Sequence, residues 1–230
     1  MKNSLKISFL LLLLGSFSCF KAFAQYDASA SLSLGMGHGY TALSQSVMSN
    51  AFAAGNSSKA VSKASNADYI YLGFSHYSGF EQKVFEQLLK NDKNMDKGKA
   101  RTFLSGTRTM HHFGTRARGY GLKDTYLSDI LATGIAWNWE MYHQTKASSP
   151  KVVALRNSIR SNMDKTSVKA QLSKLSDEDK RDWILSFMYN NSMLALIIKN
   201  AGKLSDLNKQ QLLKTAQQAG VPDIGSVSLK

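Results

Sequence analysis

Glu140 and His143 stand one helical turn apart in a stretch with helical apolar spacing. Two such side chains share a face, as in the carboxylate-bridged di-iron bundles, and could serve as metal ligands or as an acid–base pair. Those bundles need a second copy of the motif on another helix, and the chain has no other Glu-x-x-His. Trp137 and Trp139 beside the pair favour a packed helix with Glu140 solvated or ion-paired. His111 and His112 are adjacent, so on a helix they project about 100° apart and chelate poorly together. No His-Glu-x-x-His occurs, and no metal is expected. Ser148-x-x-Lys151 has serine–lysine acyl-transfer spacing, yet Ser149-Pro150 explains the same residues as the N-cap and first residue of a helix. Gly73-Phe74-Ser75-His76-Tyr77 lacks the closing glycine of a nucleophile elbow, and Gly35-Met36-Gly37-His38-Gly39 neither follows a strand nor fits GxGxxG. No motif asks for a cofactor.

Charge is the chemistry that survives this search. The chain carries 29 Lys plus Arg against 16 Asp plus Glu, a net +13 over 230 residues. Between Asn91 and Lys123 lie Lys93, Lys97, Lys99, Arg101, Arg108, Arg116, Arg118 and Lys123 against Asp92 and Asp96, a local +6. With Phe103, Phe113 and Tyr120 interleaved, the stretch suits an anionic polymer such as lipopolysaccharide, teichoic acid or extracellular nucleic acid. Lys97, Lys99, Arg101, Arg108, Arg116 and Arg118 are the candidate binding residues. The bland alternative is a solvated, charge-rich helix face.

The N-terminus supplies an address. Lys2 and Lys6 precede an apolar run from Ile7 to Phe17, and Ala22-Phe23-Ala24 gives the small-x-small pattern read by signal peptidase. Cleavage is expected between Ala24 and Gln25. The run is short of the ~20 apolar residues that span a bilayer. Lipidation at Cys19 is the rival reading, although Ser16-Phe17-Ser18 departs from Leu-small-small-Cys. Removing residues 1–24 takes three lysines and the only cysteine, which leaves 206 residues, +10 and no thiol. Thiol nucleophiles, thiolate metal sites and disulfides are thereby excluded from the mature chain. The protein is expected to be periplasmic or secreted.

These features need elements to position them. Residues 25–66 are rich in Ser, Ala and Gly and read as a flexible leader, with at most a short helix from Ser46 to Ala54. Folded structure is expected from near Tyr69, in one domain over residues 67–230. Phe80, Val84, Phe85, Leu88 and Leu89 line one face of a helix. Residues 96–116 read as a helix weakened by Gly98, Gly106 and Gly114, and Gly119-Tyr120-Gly121 as a break. A long helix follows over 124–144, and another starts at Ser149-Pro150. Ser176-Asp177-Glu178-Asp179 resembles a capping box. The helix behind it is apolar on more than one side and should be the most buried. Gly202 closes it, Ser205 caps the last helix, and Gly220 with Pro222 ends that. The expectation is an all-α domain of about six helices.

Several segments together carry a resemblance. They are Gly119-Tyr120-Gly121-Leu122, Asp124, Leu127-Ser128-Asp129, Trp137-Asn138-Trp139-Glu140, Val153-Ala154-Leu155-Arg156, Ile159-Arg160, Leu175 to Lys180, and Ala219-Gly220-Val221. In this order, over residues 70–228, they resemble a family of exported bacterial proteins, the domain of unknown function sixty-six eighty-three. The resemblance implies a helical exported bacterial domain whose motifs are caps and core positions, and it carries no catalytic residues across. Two functional expectations follow. One is a non-catalytic binding or interaction domain with a basic face, its partner an anionic envelope polymer or a protein. The other is an envelope hydrolase or toxin-like enzyme with a site dispersed over Glu140, His143, His111 and Asp129.

Overall fold

The computed structural model describes residues 38–52, 63–91 and 95–230. These form nine helices: α1 His38–Met48, α2 Phe74–Asn91, α3 Lys97–Thr107, α4 Thr109–Gly119, α5 Leu127–His143, α6 Ser149–Met163, α7 Thr166–Leu172, α8 Asp177–Ala201 and α9 Asp206–Gln218. Among the described residues the only β pairing is an isolated antiparallel bridge between Tyr69 and Tyr126. No helix among them is long and apolar enough to cross a membrane. The protein is all-α.

Two helices make the interior. In α5, every residue from Leu127 through Ala136 is buried, and in α8 every residue from Trp183 through Leu194. A helix buried all round needs neighbours on every side. α8 has α2, α4, α5 and α9, while α5 has α4, α6, α8 and α9. Gly134 lets the two approach: a Cβ there would lie 2.2 Å from the Phe187 ring. Trp183, Phe187, Ile130, Ile135, Leu155 and Ile159 belong to this main core. α2 and α3 stand apart from it. Phe80, Val84 and Leu88 of α2 and Ala100 and Phe103 of α3 form a second cluster against Leu185, Tyr189 and Met193 of α8.

The caps expected of the last two helices are present. Ser176 accepts from the Asp179 backbone N–H at 3.0 Å while Asp179 returns a contact to the Ser176 backbone, a capping box on α8. Gly202 ends α8 at φ +67°. Ser205 caps α9 by accepting from the Asn208 N–H at 3.2 Å. Gly220, at φ +85°, also lies where a Cβ would meet the Ser44 carbonyl oxygen at 2.3 Å, so it is both a turn and a close approach to α1.

Three differences from the sequence expectation stand out. Helix α1 lies inside the stretch whose composition suggested a leader, because Leu43, Val47 and Met48 repeat at helical spacing and bury in the main core. The signal peptide, its Ala24–Gln25 junction and Cys19 lie outside the described residues. The helix expected over 96–116 is two helices, broken not at a glycine but at Arg108 in the left-handed region, φ 43°. Finally, Ser148 rather than Ser149 is the N-cap of α6, and Pro150 sits in the first turn. With α1 and the short α7, the split at Arg108 raises the count among the described residues from six to nine.

Candidate functional site

Because Phe80, Val84 and Leu88 face α8, the neighbouring stripe of α2 turns outward. Ser78, Glu81, Gln82 and Phe85 on that stripe form one wall of an open groove of about 680 Å³. Helix α3 supplies Lys97, Arg101, Leu104 and Ser105, and the bend into α4 supplies Arg108, Met110 and His111. Lys97 and Arg101 are four residues apart and so share the groove side of α3. The Arg108 kink folds a third cation toward them. The Arg101 guanidinium lies 6.0 Å from the centre of the Phe85 ring, a cation–π contact across the groove.

None of these three cations makes an ion pair with a described acid. Glu81 is the acid in the groove, and burial holds its carboxyl above the usual carboxylate range. Next to the groove residue His111, His112 is pushed down by burial and then by the charges of His111, Lys199 and Arg108. A second depression of about 570 Å³, beside α1 and the C-terminal segment, has Asp223 as its charged lining residue and no cation. The two grooves differ in charge more than in size.

Half of the candidate basic residues are therefore in one place. Lys97, Arg101 and Arg108 line the groove, whereas Lys99, Arg116 and Arg118 do not. Lys99 pairs with Asp96 at 3.6 Å, and its backbone N–H donates to the same carboxylate, which lowers the Asp96 carboxyl. Arg118 donates to Thr115 at 3.1 Å and lies over Gly114 beside Asp124. Arg116 is paired with the largely buried Glu140, donates to the Tyr120 hydroxyl at 3.1 Å, and stacks on the Tyr120 and Trp137 rings. The interleaved aromatics Phe103, Phe113 and Tyr120 are buried, so they build the core and not the binding face.

The dispersed catalytic set does not assemble. Glu140 turns to Arg116 and accepts from the Ala147 backbone N–H at 2.8 Å. His143 stacks on Trp139 at 4.6 Å, and its Nε2 meets the Ile224 carbonyl at 3.3 Å. Asp129 belongs to a buried charge network, and His111 sits at the groove rim. His111 and His112 lie edge to face with ring centres 6.0 Å apart, and no metal-binding cluster of His, Cys, Asp or Glu occurs among the described residues.

The network around Asp129 was visible only in part. Asp68, the first acid after Asp27, reaches across from the segment before α2. It accepts from the Ser128 N–H and hydroxyl, both at 2.7 Å, and from Arg160 Nε at 2.8 Å. Asp129 accepts from Arg156 at 3.0 Å, from Arg160 at 3.2 Å and from the Lys123 backbone N–H at 2.8 Å. Arg160 also lies over the Tyr126 ring at 5.4 Å. Two acids and two arginines thus neutralise one another where water is excluded, and the bridge at Tyr69–Tyr126 holds the segment in register. This is a clamp on the fold.

No family model matches the chain, and no curated protein or solved structure matches it.

Proposed function

We propose that the protein is an exported, non-catalytic binding domain that holds an anionic polymer in the groove between α2, α3 and α4. The supporting observation is the trio Lys97, Arg101 and Arg108, converging on one groove with no ion-pair partner among the described acids. Unmatched cations in a concave surface attract counterions, and a polyanion gains affinity by releasing its own. The enzyme reading has less support, because Glu140, His143 and Asp129 are each engaged in separate packing or charge contacts.

The test is retention on heparin beads along a salt gradient. The triple variant Lys97→Ser, Arg101→Ser, Arg108→Ser should elute at clearly lower salt than the parent. Co-elution of the two would overturn the reading.

A further inference from the structure

The groove has a continuation that its cations do not explain. Phe74 is 87% exposed, the first residue of α2, and the most exposed of the large hydrophobic side chains among the described residues. Residues 74, 78, 81, 82 and 85 follow the i, i+3, i+4 rule, so Phe74 lies on the stripe that supplies Ser78, Glu81, Gln82 and Phe85 to the groove wall. At 1.5 Å per residue, Phe74 and Phe85 stand about 16 Å apart along the helix. Beside Phe74, Tyr71 is 63% exposed and folds its ring back over Gly73. That ring rests edge-on against His76 at 5.6 Å, while His76 Nδ1 accepts from the Gly73 N–H at 3.0 Å. The Tyr71 ring is therefore propped, not loose.

Of the four large hydrophobic side chains exposed among the described residues, three are the aromatics Tyr69, Tyr71 and Phe74. Soluble surfaces leave single apolar residues open without consequence, but a cluster at the end of a basic groove is a contact surface. Its chemistry is exposed aromatic side chains beside a groove whose three cations have no ion-pair partner among the described acids, one of them, Arg101, laid on Phe85. That combination fits a chain carrying both negative charge at intervals and flat, stackable rings. Single-stranded nucleic acid has both: phosphates for Lys97, Arg101 and Arg108, and bases for Phe74 and Phe85. A stacking face accepts any base, so recognition through Phe74 should be largely sequence-tolerant.

Resting on the groove reading above, we infer that the polymer is single-stranded nucleic acid, its backbone along Lys97, Arg101 and Arg108 and a base stacked on Phe74. The probe is a fluorescein-labelled oligothymidylate of about 15 nucleotides, read by anisotropy, with heparin retention as the second arm. Phe74→Ala should weaken oligonucleotide binding about 5- to 100-fold, the worth of one stacked base. Phe74→Tyr should restore it, and neither change should move heparin elution or the denaturation midpoint. The inference fails if Phe74→Ala binds the oligonucleotide like the parent. It fails too if the parent ignores the oligonucleotide but keeps heparin or lipopolysaccharide, an outcome that leaves the anionic groove standing. If the parent retains none of the three, both readings fall.

Discussion

Arg160 is 5% exposed and donates to two carboxylates and a hydroxyl, whereas Arg101 is exposed, rests on a phenylalanine and meets no described acid. The two arginines mark two regions built from the same side-chain types. Around Arg160 every charge has a partner, water is excluded, and the outcome is a clamp between the segment at Asp68 and helices α5 and α6. In the groove of α2, α3 and α4 three cations meet no ion-pair partner among the described acids. Buried ion pairs resist loss of one member far more than they add by existing. Exposed, unmatched charges do the reverse: they cost the fold little and act on whatever arrives. Basic composition is common to both regions, and pairing separates them.

The largest expected effect lies in the clamp. Arg160→Leu leaves Asp68 buried without its cation and should lower unfolding stability by about 3–5 kcal/mol, read from the urea midpoint. The triple groove variant should change the same midpoint by less than about 0.5 kcal/mol, since surface substitutions rarely do more. Equal losses would erase the distinction between the two regions. Next in size is the α8 cap. Ser176→Ala removes one half of the capping box and should cost about 1 kcal/mol, with polyanion binding unchanged.

Arg108 sharpens the comparison because stability and binding should move in opposite directions there. It holds a left-handed φ of 43° that glycine adopts freely. Arg108→Gly should gain up to about 1 kcal/mol in the urea midpoint while weakening heparin retention. A loss of stability in that variant would show that the kink needs the arginine for packing rather than for binding.

Titration adds effects confined to the ends of the pH range. Burial, and then the negative charge of Asp124, push the Tyr77 hydroxyl up to about 12. Between pH 10 and about 12 the unfolded chain releases that proton and the native protein keeps it, so stability falls as pH rises through the window. Tyr77→Phe should remove this alkaline component from a pH series of melting curves. In the groove, Glu81 holds its proton to higher pH than an ordinary carboxyl. Acidification should therefore neutralise it early and tighten polyanion binding, a trend that Glu81→Gln should flatten.

Much of the fold could be read before any coordinates. Helix caps are local, so Ser176, Gly202 and Ser205 announced α8 and α9 from a few residues each. The all-round apolar pattern of α8 likewise announced its central place. What resisted reading depends on distance in sequence or on compensation. The α1 helix hides in Ser- and Ala-rich sequence because small residues pack as well as they disorder. Phe85 shares its spacing with Leu88 and Leu89 and packs on the same cluster, yet it also lines the groove, and helical period alone does not say which part of a face stays uncovered. Asp68 gave no sign that Arg160, 92 residues later, would meet it. For the candidate site, the basic stretch was legible and its division was not. Arg116 and Lys99 look like Arg101 in sequence, yet Lys99 lies on another face of α3 and pairs with Asp96, and Arg116 is held by Glu140.

That division is the central claim, and the salt dependence of heparin binding tests it most directly. Each cation that meets the polymer contributes about one unit to the slope of log K against log salt. The Lys97→Ser, Arg101→Ser, Arg108→Ser variant should lower the slope by about two to three units. A Lys99→Ser, Arg118→Ser control of the same charge type, outside the groove, should lower it by less than about one. Equal slopes for the two variants, scaled to the charge removed, would contradict the account and return the basic stretch to a diffuse, solvated surface.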